Sequence, residues 1–117
     1  MRLEIRRRRL EVSASLRAHI ERRLRSALGG FARHVGRVRV YLRDVNGPRG
    51  GVDKSCRIEV HLPGRRAVRA AVVDADAYAA IAAAAHRVAQ GVARAVERGQ
   101  ATTSEPAWPA RGSSTAA

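Results

Sequence analysis

Two sets of basic side chains are set apart by type and spacing. His19, Arg22, Arg23 and Arg25 cluster in one short stretch, and Arg87, Arg94 and Arg98 recur at intervals of seven and four residues. Those intervals place side chains on one line of a helix. A guanidinium is a planar donor fork that matches phosphate and stacks on bases. Rows of such groups on two neighbouring helices could hold phosphates on either side of a groove. The same rows also fit ordinary solvated helix faces, and spacing alone leaves both readings open.

Other chemistry finds less support. Lys54-Ser55 follows several glycines, as in a phosphate-binding loop, but Asp53 stands where the final glycine must precede the lysine. A carboxylate there would repel phosphate, so residues 44–51, rich in Asp, Asn, Gly and Pro, read as a hairpin loop. His19, His34, His61, His86 and Cys56 lack metal-ligand spacing and fall on different elements. Asp74 and Asp76 read as helix caps, while Glu4, Glu21 and Glu59 are scattered, so no nucleophile, base and orienting group can be assembled. The expectation is a protein that is not an enzyme and takes no metal, cofactor or small-molecule substrate. Trp108, the only tryptophan, sits in a proline-flanked tail with no role assigned.

The charge balance points to a polyanion. The 117 residues carry a formal net charge of +13, and 22 of the 23 basic side chains are arginine. Residues 1–73 hold 19 basic and 6 acidic side chains, whereas residues 74–117 hold four of each. Neutralising phosphates releases condensed counterions, which favours binding of nucleic acid. A GC-rich codon bias accounts for arginine over lysine but not for bases over acids. The N-terminal residues lack the apolar core of a secretory signal, and the longest apolar run, 79–85, is too short to span a bilayer. The expected setting is cytoplasmic, with no membrane partner.

The elements that must position these groups follow from hydrophobic period. Leu3 and Ile5 alternate with polar neighbours as a half-buried strand, until the run Arg6 to Arg9 interrupts the pattern. Ser13 suits an N-cap. Leu16, Ile20, Leu24, Ala27 and Leu28 then mark an amphipathic helix over 14–28, which Gly29-Gly30 should stop. Val38, Val40 and Leu42 face one side of a second strand, and Cys56, Ile58, Val60 and Leu62 one side of a third. Arg39, Tyr41, Arg43, Arg57, Glu59 and His61 face the other way. A weaker fourth strand covers 68–73. The second helix covers 75–98, with Tyr78, Ile81, Ala85, Val88, Val92 and Val96 on its apolar face and Gly99 ending it.

The predicted class is α+β, in the order β-α-β-β-β-α: a four-stranded mixed sheet with two helices packed on one face and the other face in water. Residues 1–98 form the domain, and 99–117 have the composition of a disordered tail.

Several strings, in this order, resemble the ribosome hibernation promoting factor family, also called ribosome-associated inhibitors or sigma-54 modulation proteins. They are Leu10-Glu11-Val12-Ser13 leading into Leu16-Arg17, Val38-Arg39-Val40-Tyr41-Leu42, the hairpin from Asn46 to Lys54, and Asp76-Ala77-Tyr78-Ala79-Ala80-Ile81. The resemblance covers about residues 2–98 and is to the short family members. It implies binding to the small ribosomal subunit, in the channel used by messenger and transfer RNA, with translation blocked there. It also implies that Arg23 is the family's basic residue on helix one, and Arg87 and Arg94 two of those on helix two. Gln90, Gly91, Ser26 and Ala82 depart from the family pattern. The RNA-contacting set is therefore expected to be His19, Arg22, Arg23, Arg25, Arg87, Arg94 and Arg98, in a protein that is monomeric off the ribosome. Two other readings stay open: a protein-binding regulator, for instance of transcription, that uses the exposed sheet face, and a general double-stranded RNA binder.

Overall fold

A computed structural model describes residues 1–45 and 53–101, with no side-chain account of 99–101. The expected order is found: β1 (Arg2–Arg8), α1 (Ala14–Leu28), β2 (Arg37–Asp44), β3 (Lys54–Val60), β4 (Val68–Asp74) and α2 (Ala77–Ala101). The sheet runs β1-β2-β3-β4. β1 pairs parallel with β2, and β2–β3 and β3–β4 pair antiparallel. The hairpin loop between β2 and β3 and the tail containing Trp108 lie outside the described residues.

Period-two alternation sets the two faces of the sheet. Val38, Val40, Leu42, Cys56, Ile58 and Val60 are buried on one face, and Leu62 continues that side. Leu16, Ile20, Leu24 and Leu28 from α1 join them, as do Ala80, Ile81, Ala84, Ala85, Val88, Val92 and Val96 from α2, in one core. α2 lies over β3 and β4 and packs along α1. Because aromatics are scarce, this core is built of aliphatic side chains and alanine, which let the helices approach closely. Cys56 is a small core residue, and burial pushes its thiol up to about 12.

The helix starts follow side-chain chemistry. The Ser13 hydroxyl accepts from the Leu16 backbone N–H at 3.1 Å, satisfying one orphan donor of α1. Asp76 Oδ1 accepts from the Tyr78 N–H at 3.0 Å, and Asp74 Oδ1 accepts from the Asp76 N–H at 2.9 Å. The second helix therefore starts at Ala77 rather than at 75.

Other details differ from expectation. α1 ends at Leu28 as expected, with Gly29 as its C-cap, but Gly29 is right-handed, φ −58° and ψ −36°, so the α-helix stops there without the chain turning away. The chain continues as a 3-10 segment through His34, which brings Phe31 and Val35 against the core. The first strand continues through most of the arginine run that interrupts its apolar pattern. Arg6, Arg7 and Arg8 pair with Tyr41, Leu42 and Arg43, because backbone ladder bonds extend an edge strand whatever its side chains. The strand stops one residue later, at Arg9, whose φ of 58° turns the chain. Gly99 does not end α2, which runs to Ala101. Tyr78 is not part of the buried stripe: it is 40% exposed.

Gly91 acquires a reason that helical period cannot supply. A Cβ at this position would lie 2.5 Å from Val68 Cγ1, so the missing side chain lets α2 settle onto β4. Alanine would favour the helix by about 1 kcal/mol, while overpacking of this kind costs about 1–3 kcal/mol. Gly91→Ala is therefore expected to destabilise the fold by about 1 kcal/mol in urea unfolding. In a Val68→Ala background the same change should stabilise it. Equal effects in both backgrounds would rule out the contact as the cause.

Candidate nucleic-acid interface

The outer side of the helix layer carries the basic groups. Arg22, Arg23 and Arg25 on α1 are exposed, as are Arg87, Arg94 and Arg98 on α2. The reason lies in the sequence: each is offset from the Leu16–Ile20–Leu24–Leu28 stripe or from the Ile81–Val88–Val92 stripe, so burying the stripes turns them to solvent. Among the described residues, no carboxylate lies within ion-pair distance of Arg22, Arg23, Arg25, Arg87 or Arg94. Arg87 leans toward the sheet edge, its Nη1 3.5 Å from the Ala71 carbonyl, a long and weak contact. Arg98 is held by an interaction of its own.

His19 is placed differently from the arginines. It is half-buried, its ring stacked at a tilt on Tyr78 with centroids 4.8 Å apart. Its Nε2 lies 3.2 Å from the Tyr78 carbonyl, an arrangement in which the imidazole N–H donates. The side chain thus ties α1 to the start of α2 and is less available to a ligand than the arginines around it. Periodicity puts His19 near the solvent face. Only the approach of the second helix reveals its partner.

The two rows do not face each other at one level. The His19–Tyr78 contact joins the early part of α1 to the start of α2, and the 3-10 segment after α1 also packs on α2. The helices therefore run in the same direction. At about 1.5 Å per residue, Arg25 lies about 9 Å beyond His19, while Arg94 lies about 24 Å beyond Tyr78. The result is a slanting cationic band along the exposed sides of α1 and α2. Such a band suits an irregular polyanion. Among the described residues there is no group of His, Cys, Asp and Glu that could hold a metal ion, and no helix is long and apolar enough to cross a membrane.

The model of the sigma 54 modulation protein / S30EA ribosomal protein family matches residues 3–100. The chain belongs to that family. Among solved structures it is similar to a ribosomal subunit interface protein from Coxiella burnetii, with a TM-score of 0.70 and 16% identity, covering 80% of this chain and 96% of that one. It is also similar to the N-terminal domain of Protein Y from Thermus thermophilus, with a TM-score of 0.64 and 30% identity, covering 80% and 98%. No curated protein matches the chain. The α+β sheet-and-helix architecture is thus that of the family, and the helix band sits on a scaffold shared with ribosome-associated proteins.

The opposite, open face of the sheet also carries charge, and much of it lies outside the expected site. β1 places Arg2, Arg6 and Arg8 beside Arg37, Tyr41 and Arg43 of β2. Period-two alternation marks Arg6 and Arg8 only if the strand is carried through the arginine run.

Proposed function

We propose that this chain is a short hibernation factor that binds the small ribosomal subunit in the channel used by messenger and transfer RNA and blocks translation there. Arg22, Arg23 and Arg25 of α1, with Arg87, Arg94 and Arg98 of α2, contact ribosomal RNA phosphates; His19 orders the helix pair that presents them. The observation that carries this reading is the band of exposed helix arginines, five of them without a carboxylate partner among the described residues, on a fold of this family. Phosphates supply the missing counter-charge, and each one neutralised releases counterions. In this reading the protein is cytoplasmic, monomeric off the ribosome, and needs no cofactor.

Co-sedimentation with isolated small subunits over a salt series tests it. The protein should pellet with the subunits at low salt and compete with transfer RNA. With about six phosphate contacts, affinity should fall by roughly 10³-fold between 50 and 200 mM salt. Absence from the subunits at low salt would overturn the proposal. Equal affinity for any RNA duplex would favour a general double-stranded RNA binder.

A further inference from the structure

The open sheet face bears a second charged site, distinct from the helix band. Its outward residues form rows across the strands. One row is Glu4, Arg39, Glu59 and Arg69, in which acid and base alternate. Arg39 Nε donates to Glu4 and Arg69 Nε to Glu59, each at 3.1 Å. The next rows toward the far end of the strands are Arg6, Tyr41, Arg57 and Ala71, then Arg8, Arg43, Ser55 and Val73. The face's two acids therefore both sit in a row that already neutralises them. Arg6 and Arg57 reach back to them only at 3.9 and 3.8 Å. Arg8 and Arg43, direct neighbours in the parallel register, have no carboxylate within ion-pair distance among the described residues.

Like charges directly opposite each other weaken a strand pair, so the fold carries a cost here that a bound polyanion would relieve. A depression of about 350 Å³ lies over these rows, lined among others by Arg6, Arg8, Tyr41, Arg43, Ser55 and Arg57. At its floor the Arg57 guanidinium lies 4.4 Å over the Tyr41 ring. That pair is a planar, cationic platform on which an unpaired base can stack, with phosphates reaching Arg8 and Arg43 on one side. We propose that this face binds a single strand of RNA, with Tyr41–Arg57 as the stacking platform and Arg6, Arg8 and Arg43 as phosphate contacts. Unpaired bases favour a single strand over a duplex, whose bases stay buried in the stack. The platform likewise favours nucleic acid over an acidic peptide. Since the helix layer covers the other side of the sheet, the two surfaces can engage different RNA segments at once, and this site does not depend on the ribosomal reading.

The test uses the full chain and a short fluorescein-labelled oligouridylate, with affinity read by anisotropy in low salt. Arg8→Glu replaces the like-charged pair by an opposite one across from Arg43. It should therefore leave the melting temperature unchanged or raised while weakening oligouridylate binding roughly tenfold. Tyr41→Val keeps a strand-forming side chain but removes the ring, and should weaken binding roughly fivefold. Arg66→Glu, an equal charge change at an exposed position off this face, should stay within about twofold of the parent. Parent-like binding by Arg8→Glu would overturn the proposal. So would an equal loss in Arg66→Glu, which would reduce the effect to net charge. Polyglutamate competing as well as oligouridylate at equal charge would replace RNA by an acidic peptide, and tighter binding of a duplex than of the single strand would overturn the stacking platform.

Discussion

Arg87→Glu combined with Arg94→Glu is expected to release the protein from small ribosomal subunits while leaving it folded. Both side chains are exposed on α2, and neither has an ion-pair partner among the described residues, so reversal breaks no salt bridge. Arg87 approaches the Ala71 carbonyl only at a long distance. Surface substitutions of this kind change stability by about 0.5 kcal/mol or less. Binding should respond far more. A hydrogen bond to a charged group contributes about 1.5–3 kcal/mol, and removing two such bonds lowers affinity roughly 10²- to 10⁴-fold. The salt dependence should also flatten, by about one unit of log–log slope for each phosphate no longer neutralised. Co-sedimentation and a thermal melt on the same preparation check both halves. Unchanged ribosome binding would remove α2 from the interface, and a collapsed melt would show that the arginines hold the fold instead.

His19→Ala offers a contrast within the same surface. His19 links α1 to α2 through Tyr78, so its removal should loosen the helix pair before it touches any RNA contact. The expected signature is a lower melting temperature with ribosome affinity falling by less than about tenfold. A parent-like melt with strongly reduced binding would instead make the imidazole a direct contact.

How much of the fold is legible in the chain depends on how local the cause is. The stripe from Leu16 to Leu28 and its Ser13 cap require only helical period and one hydroxyl, and α1 has those bounds. The inward set from Val38 to Leu62 needs only alternation, and every member is buried. Local signals mislead where a partner from elsewhere decides. Gly29-Gly30 marks the end of α1 correctly, but not the 3-10 segment beyond it, in which Phe31 and Val35 reach the core. The Arg6–Arg8 run reads as a break, but β2 supplies ladder bonds that side-chain pattern does not encode. Gly91 reads as a weakness of α2 until Val68 of β4 is placed against it. The arginine rows are legible because they mirror the buried stripes. The slant between them is not, since it depends on how the two helices pack. Arg8 beside Arg43 requires the parallel register of β1, which no local signal sets.

Asp53 shows the same limit and carries the larger expected effect on stability. As a loop residue it only spoils a phosphate-binding motif. In the fold it is fully buried where β2 and β3 diverge, its backbone carbonyl accepting from the Val45 N–H at 2.8 Å. Lys54 Nζ lies 2.8 Å from Asp53 Oδ1 and 3.5 Å from Asp44 Oδ2, so one ammonium serves two carboxylates. The Lys54 pKa is raised above its ordinary value, through the hydrogen bond with Asp53 first, then the charge of Asp44, against some desolvation. Lys54→Met keeps the length of the stem but strands a buried carboxylate beside a second one. Breaking a buried pair by removing one partner is among the most damaging single changes, and the melting temperature should fall by at least about 10 °C. A raised lysine pKa stabilises the fold fully below the unfolded value of ~10.4, and that contribution is lost as pH climbs through the folded value. The gap between parent and variant should therefore be widest near neutral pH and narrow in alkali, above the unfolded lysine value. Melts at neutral and alkaline pH decide it. A gap smaller than about 3 °C at neutral pH, or one that persists undiminished in alkali, would mean that the ammonium does not hold this end of the hairpin.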